Sequence, residues 1–283
     1  MVCGHTVRTS YCVQCGGARP EAPAAEKEQS VSTAAWNPWH GCKKCSPGCA
    51  HCYVYYLDGT RELDASVVYK SKTNFNLPLK KDRAGNYKIA PGTEVYTCFT
   101  SDFFIDEADE WRPEAWCQIK ERSDLFFLIP TKRIQRFAQC LPEDWGEGYE
   151  NVAVAVSCEN QSKADERIPL LLSAPLKHRC VFASPLLEGM DLTPYLRTGR
   201  IESVSVGGES YAGARECRFE WVRDLYRQCR ETGTPFGFHQ TGSNFVYNGK
   251  RYSIPHRKEH EQARKAMAVL REWYKDFTQP SLF

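Results

Sequence analysis

The sequence has no run of eighteen consecutive apolar residues, so it predicts no transmembrane helix. It also lacks a basic stretch followed by an apolar one near its first residue, so we expect no secretory signal peptide. An excess of either charge is missing too, since 37 Lys and Arg face 35 Asp and Glu, for a net charge of +2. That balance provides no overall attraction to nucleic acid or to a membrane surface. We therefore expect a cytoplasmic protein with no membrane partner.

Cysteine, by contrast, is abundant, with 14 residues. In a chain without an export signal, these cysteines are expected to be thiols in a reducing compartment rather than disulfides. Seven of them form two groups before residue 53. The others are scattered through apolar or helical segments, where we expect small buried hydrophobic side chains: Cys98, Cys117, Cys140, Cys158, Cys180, Cys217 and Cys229.

The composition divides the chain into three parts. Residues 1–17 form a short segment with cysteines and a histidine, and residues 18–33 are rich in Ala, Pro, Glu and Ser, as flexible linkers are. Residues 34–283 form the main domain, in which short apolar segments alternate with amphipathic ones. The expected strands are residues 94–99, 125–130, 151–157, 179–184, 201–206 and 235–240, plus one just before residue 40. The expected helices are residues 111–122, 132–140, 162–173 and 219–232.

This alternation decides the expected fold class. Nearly continuous apolar strands between amphipathic helices indicate a parallel sheet that is covered on both faces. The prediction is therefore an α/β fold, as a partial or complete β/α barrel of the TIM type. Polar residues follow six of the strands, and in such barrels the C-terminal strand ends form the active-site face. We call these polar residues at the strand ends the rim. Any single one of them is also explained as a helix N-cap.

The most informative stretch is "HGCKKCSPGCAHCY", residues 40–53, with Cys42, Cys45, Cys49 and Cys52. Three of these thiolates could hold a four-iron cluster and leave one iron open to a small molecule. The spacing C-x3-C-x2-C of the last three is associated with radical S-adenosylmethionine enzymes. Two alternatives remain, a structural zinc ion and a closed four-cysteine electron-transfer cluster.

Further motifs occur in order along the chain: "WNPWHGCKKCSPGCAHCYVY", "TCFTSDFF", "TKRIQRF", "VSCENQSKADERIP", "SPLLE", "VGGES" and "HQTG". Together they resemble a phage-associated family of radical S-adenosylmethionine-type proteins, over residues 36–267. The resemblance implies a [4Fe–4S] cluster with S-adenosylmethionine as second cofactor. It implies cluster ligands at Cys42, Cys49 and Cys52. Cys45 stands where the family usually has an apolar residue, and it is the alternative third ligand.

The superfamily resemblance also implies roles for residues on the rim. Ser157 and Glu159 resemble the pair that hydrogen-bonds the ribose of the cofactor, and Ser101 and Asp102 end the strand where other members bind the methionine amino group. Glu209, in a "GGE" motif on a late strand, is a cofactor or substrate contact. Tyr53 follows the last cysteine and is a further cofactor contact. Candidates for binding the substrate are Lys132, Arg133, His239 and Gln240.

By resemblance, the activity is the reductive cleavage of S-adenosylmethionine to a 5′-deoxyadenosyl radical, which abstracts hydrogen from a substrate. Such chemistry needs a one-electron reductant such as flavodoxin or ferredoxin. A nucleotide or DNA base, a peptide and a small metabolite are all open as substrate. Residues 243–265 have a basic and aromatic bias that is compatible with nucleic acid and equally with a solvated hairpin and helix.

The first segment carries a second group of metal-ligand type, Cys3, His5, Cys12 and Cys15. Seventeen residues need such a staple to fold, and the ligand types suit a small zinc knuckle. A tail with uncoordinated thiols and a second cluster are the alternatives. If both cysteine groups hold zinc, the protein is instead a nucleic-acid or protein binding module on a β/α scaffold, without catalysis.

Overall fold

The computed structural model describes residues 32–278 of the chain, which form a mixed α/β fold. The strands are β1 Thr33–Trp36, β2 Trp39–His40, β3 Tyr69–Lys70, β4 Glu94–Thr97, β5 Phe126–Thr131, β6 Val152–Ser157, β7 His178–Ala183, β8 Ser203–Gly207, β9 Cys217–Arg218, β10 Phe236–Gln240, β11 Asn244–Tyr247 and β12 Lys250–Ser253. The helices are α1 Tyr53–Gly59, α2 Arg112–Glu121, α3 Gln161–Ser173, α4 Thr193–Leu196, α5 Phe219–Thr232 and α6 Glu259–Thr278.

The main sheet has seven strands in the order β1-β4-β5-β6-β7-β8-β10. β1 pairs with β4, β4 with β5, β5 with β6 and β8 with β10, all in parallel. All six residues of β6 are buried, as expected of a parallel strand covered on both faces. The strand order has two ends, so the described residues do not show a complete barrel.

The hydrophobic pattern predicted this sheet well. All six expected strands are present within a few residues of their predicted limits, and β1 supplies the strand expected before residue 40. The helix expected at 219–232 is α5, whose buried face includes Val222, Leu225 and Cys229. It ends at Gly233, which adopts a left-handed φ of 71° that suits glycine.

One expected helix is wrong. Residues 132–140 form two 3-10 turns, Ile134–Arg136 and Ala138–Cys140, instead of an α-helix. Leu141 precedes a proline, is extended at φ −80° and ψ 148°, and so stops any longer helix. The turns still bury Ile134 and Phe137, which are the apolar residues that suggested a helix.

Six of the seven scattered cysteines are buried, as expected, and Cys117 is the exception because it lies exposed on α2. Burial raises the pKa of Cys217 to about 12, so this thiol stays protonated.

By its internal contacts the chain forms two compact units. Within the described residues, the first unit holds residues 32–43, Asp64–Val156 and Leu170–Cys180, and the second holds Lys44–Leu63, Ser157–Pro169 and residues 181–278. In the first unit β2 and β3 form a small antiparallel pair. In the second, β9, β11 and β12 form a three-stranded sheet.

The zinc group predicted at Cys3, His5, Cys12 and Cys15 lies outside the described residues, as does nearly all of the predicted linker. None of the helices in residues 32–278 is long and apolar enough to cross a membrane.

Candidate functional site

In the second unit, the cysteine-rich stretch forms a tight turn followed by a helix. Cys49 ends the 3-10 turn Pro47–Cys49, and Cys52 immediately precedes α1. Both are half-buried, whereas Cys45 is exposed. The Ser46 hydroxyl lies 3.7 Å from the Cys49 sulfur, within range of a weak hydrogen bond. Pro47 favours this geometry, because the fixed φ of proline suits the first position of a helical turn.

The peptide unit between Pro47 and Gly48 is held on its N–H side by a buried carboxylate. The Gly48 N–H donates to Oε1 of Glu159 over 2.9 Å, and Glu159 has no accessible surface. Glycine permits this close approach, because a Cβ at position 48 would lie 3.0 Å from the carboxyl carbon of Glu159, closer than most Cβ contacts. Glu159 therefore fixes the turn that carries Cys49.

Glu159 is in turn held by Arg167 of α3. The guanidinium donates to Oε2 of Glu159 over 3.0 Å and to the carbonyl of Ser157 over 2.6 Å. Both charged side chains are at most 1% exposed. The two residues predicted to bind the ribose, Ser157 and Glu159, thus lie together at the end of β6, with one arginine bonded to both.

The same peptide unit is held on its carbonyl side by a second carboxylate–arginine pair. Arg215 donates from Nη2 to the carbonyl oxygen of Pro47 over 2.9 Å. Its guanidinium and backbone N–H also donate to the carboxylate of Glu209, over distances of 2.5–3.2 Å. Glu209, the acidic residue of the "GGE" motif, is buried, and its carboxylate bonds to the protein's own arginine.

In the first unit, Cys42 lies beside a buried arginine. Nη1 of Arg133 is 3.6 Å from the Cys42 sulfur and 3.4 Å from Oδ2 of Asp102, and Nη2 donates to the carbonyl of Lys43 over 2.6 Å. A guanidinium at this distance favours the thiolate form of cysteine, which is the form that binds metals. Arg133, a predicted substrate-binding residue, thus lies beside Cys42, a predicted cluster ligand.

Asp102 is buried five residues after the end of β4, and both of its carboxylate oxygens accept hydrogen bonds from the protein. Oδ1 accepts from the Thr131 hydroxyl over 2.8 Å and from the Phe104 N–H over 3.0 Å. Oδ2 accepts from the N–H of Lys132 over 2.9 Å. The neighbouring Ser101 donates its hydroxyl to the Gly41 carbonyl over 2.5 Å. These contacts tie the rim to the start of the cysteine-rich stretch, within the first unit.

His239, on β10 of the second unit, is the other polar group of note. Its Nδ1 lies 3.1 Å from the Ser205 hydroxyl, and a Cβ on Gly207 would lie 2.4 Å from its Nε2, so the ring needs glycine there. The ring keeps accessible area, but surrounding protein atoms disfavour its charged form. This desolvation, together with nearby His260, lowers the pKa of His239 to about 4, which keeps the imidazole neutral at pH 7.

The remaining predicted residues have simpler surroundings. Gln240 donates to the carbonyl of Gly208 over 2.7 Å. Lys132 is half-buried, and Tyr53 is exposed on the first turn of α1.

Three residues of the site were missed by the sequence predictions: Gly48, Arg167 and Arg215. Arg167 could have been found, because it shares the α3 face of Ala164, Ile168 and Leu171, which are all buried. An arginine on the apolar face of a helix needs a buried partner.

Within residues 32–278, no group of three or more His, Cys, Asp or Glu side chains could hold a single metal ion. This finding does not bear on a four-iron cluster, because each thiolate of such a cluster binds its own iron. In the second unit, Cys49 and Cys52 are half-buried and the Ser46 hydroxyl lies near the Cys49 sulfur; in the first unit, Cys42 is half-buried beside Arg133. Half-buried thiols with hydrogen-bond donors near them have the chemistry of metal ligands.

The chain matches the model of a family described as "Protein of unknown function (DUF5131)" over residues 28–271. The match covers most of the sequence, so the chain belongs to this family. No curated protein matches the sequence.

Proposed function

We propose that this member of the family is a radical S-adenosylmethionine enzyme, built on a partial β/α barrel, that binds a [4Fe–4S] cluster at its cysteine-rich stretch. One observation carries the proposal. Cys49 lies on a turn whose preceding peptide unit is fixed by two carboxylate–arginine pairs. A loop that merely connects two elements has no need of such support, whereas a ligand-bearing turn does.

The proposed ligands are Cys42, Cys49 and Cys52. Cys42 is preferred to Cys45 because it is half-buried beside the Arg133 guanidinium, while Cys45 is exposed. When bound, the cluster would supply one electron for the reductive cleavage of S-adenosylmethionine, and a reductant such as flavodoxin or ferredoxin would restore it.

The chain's own residues then have defined tasks. Ser46 and Arg133 offer donors to the sulfurs of Cys49 and Cys42, which lowers the electron density on these ligands and tunes the potential of the metal group. The neutral imidazole of His239 offers one hydrogen-bond acceptor or donor to a substrate.

Anaerobic reconstitution with iron and sulfide tests the proposal. We expect a brown protein with about four irons and four sulfides per chain. Cys42→Ala should abolish cluster uptake and Cys45→Ala should retain it. A colourless protein that holds zinc at this stretch would contradict the proposal and support the alternative, a zinc-bearing binding module.

A further inference from the structure

Two carboxylate–arginine pairs converge on a single peptide unit. The N–H of Gly48 bonds to Glu159, which is paired with Arg167, and the carbonyl of Pro47 bonds to Arg215, which is paired with Glu209. These two groups are the two polar atoms of one planar peptide. Holding both of them fixes the orientation of the plane, and with it the direction in which the chain enters Cys49.

Global stability alone does not account for the first pair. Glu159 and Arg167 are at most 1% exposed, and removing two opposite charges from water is costly even when they are well paired. Apolar residues of similar volume are often as stabilising or more so, and the best attested use of a buried ion pair is to fix one particular arrangement.

Backbone hydrogen bonds within the turn link the fixed peptide unit to Cys49. The N–H of Cys49 donates to the carbonyl of Ser46 over 2.9 Å, and the N–H of Ala50 donates to that of Pro47 over 3.2 Å. The hydrogen bonds of the turn therefore connect the Pro47–Gly48 peptide to the backbone of Cys49.

We propose that Glu159, Arg167, Glu209 and Arg215 are positioning residues that hold the Pro47–Cys49 turn in its ligand-ready conformation before any metal is bound. The claim that the turn carries a metal ligand rests on the proposed function. The claim that the turn is rigid does not. It gives Glu159 and Glu209 a different role from the cofactor contacts that the sequence predicts. A turn that is already ordered loses less conformational entropy when its cysteine becomes a ligand.

The first experiment measures amide hydrogen exchange of metal-free protein over residues 46–52 by mass spectrometry. In the wild type, the amides of Gly48, Cys49 and Ala50 should be protected. Arg215→Met should raise their exchange about tenfold, as the loss of one charge-assisted hydrogen bond does. The matched control is Arg218→Met, since Arg218 is exposed and pairs with Glu216 rather than with the turn.

Two further variants guard the interpretation. Arg215→Lys keeps the charge and should restore part of the protection. Glu159→Gln removes the anionic acceptor of Gly48 and should have a larger effect than Arg215→Met. If it does not fold, the comparison of Arg215→Met with Arg218→Met still decides. Fast exchange in the wild type, or equal exchange in Arg215→Met and Arg218→Met, would overturn the inference.

The second readout is iron bound after anaerobic reconstitution, again with Arg218→Met as the control. A positioning role predicts reduced iron in Arg215→Met but not in Arg218→Met. Unchanged iron in Arg215→Met, or an equal loss in Arg218→Met, would refute that role. If the wild type shows a protected turn and binds no iron, the proposed function fails while the rigidity of the turn stands.

Discussion

Replacing Gly48 by alanine is a direct test of how tightly Glu159 is held. A Cβ at this position would lie 3.0 Å from the Glu159 carboxyl carbon, 3.2 Å from Oε1 and 3.3 Å from its Cβ. The carboxylate has no accessible surface and bonds to both Gly48 and Arg167, so it cannot swing aside into solvent. Relief of the contact must lengthen one of these two bonds.

The expected loss follows from two opposing effects. Overpacking of a well-packed site costs about 1–3 kcal/mol. The alanine also restricts the unfolded chain, which offsets about 0.4–1 kcal/mol. We therefore expect Gly48→Ala to lower the free energy of unfolding by about 1–2 kcal/mol.

The matched control is Gly59→Ala, eleven residues further along the chain. Gly59 ends α1, and a Cβ there would have no atom within 4 Å. This variant should be neutral or stabilising by about 0.5 kcal/mol. Urea unfolding followed by circular dichroism measures both, with the slope of the transition expected to stay constant. If Gly48→Ala were as stable as Gly59→Ala, the close packing described for Glu159 would be refuted.

Three other predictions follow from the structure. Arg122 is 1% exposed and donates to the Ile89 carbonyl, whereas its ion-pair partner Asp124 is 37% exposed. Arg122→Ala should therefore destabilise the protein by about 1–3 kcal/mol, because a buried carbonyl loses its donor, and should speed proteolysis of residues 72–92; an unchanged urea midpoint would contradict this. His239, whose pKa falls from 6.5 to about 4 on folding, binds its proton more readily when unfolded. The free energy of unfolding should therefore fall as the pH drops from about 6.5 to about 4, by about 1–2 kcal/mol once the accessible area of the ring is allowed for. His239→Gln should remove this part of the pH dependence, and an unaltered pH profile would show that the ring titrates normally. Finally, Arg133→Met should lower the reactivity of Cys42 toward an alkylating reagent at neutral pH, measured by mass spectrometry, while Lys132→Met should not.

The sequence predicts the strands of this protein well, whereas the roles of the rim residues stay predictions. Strands such as β6 are continuous apolar segments, and a local pattern is enough to recognise them. The expected helix at 132–140 is wrong, because the segment forms two short 3-10 turns, and the apolar spacing does not distinguish such turns from a helix.

In the candidate site, the sequence indicates which residues are polar and follow strands, but not which residues they contact. Asp102, Glu159 and Glu209 follow predicted strands and receive their predicted roles from the superfamily resemblance, and all three are buried. Their partners could not be foreseen, because Gly48 lies 111 residues from Glu159 and Pro47 lies 168 residues from Arg215. Such pairings depend on the order of strands in the sheet, which is a property of the whole chain.

The central claim is that the protein is a radical S-adenosylmethionine enzyme, and one measurement tests it most directly. Reconstituted protein is incubated anaerobically with S-adenosylmethionine and dithionite, and 5′-deoxyadenosine and methionine are quantified by liquid chromatography and mass spectrometry. The account predicts that both products form with the wild type and that neither forms with Cys49→Ala. Absence of both products from wild-type protein that carries a full complement of iron and sulfide would contradict it.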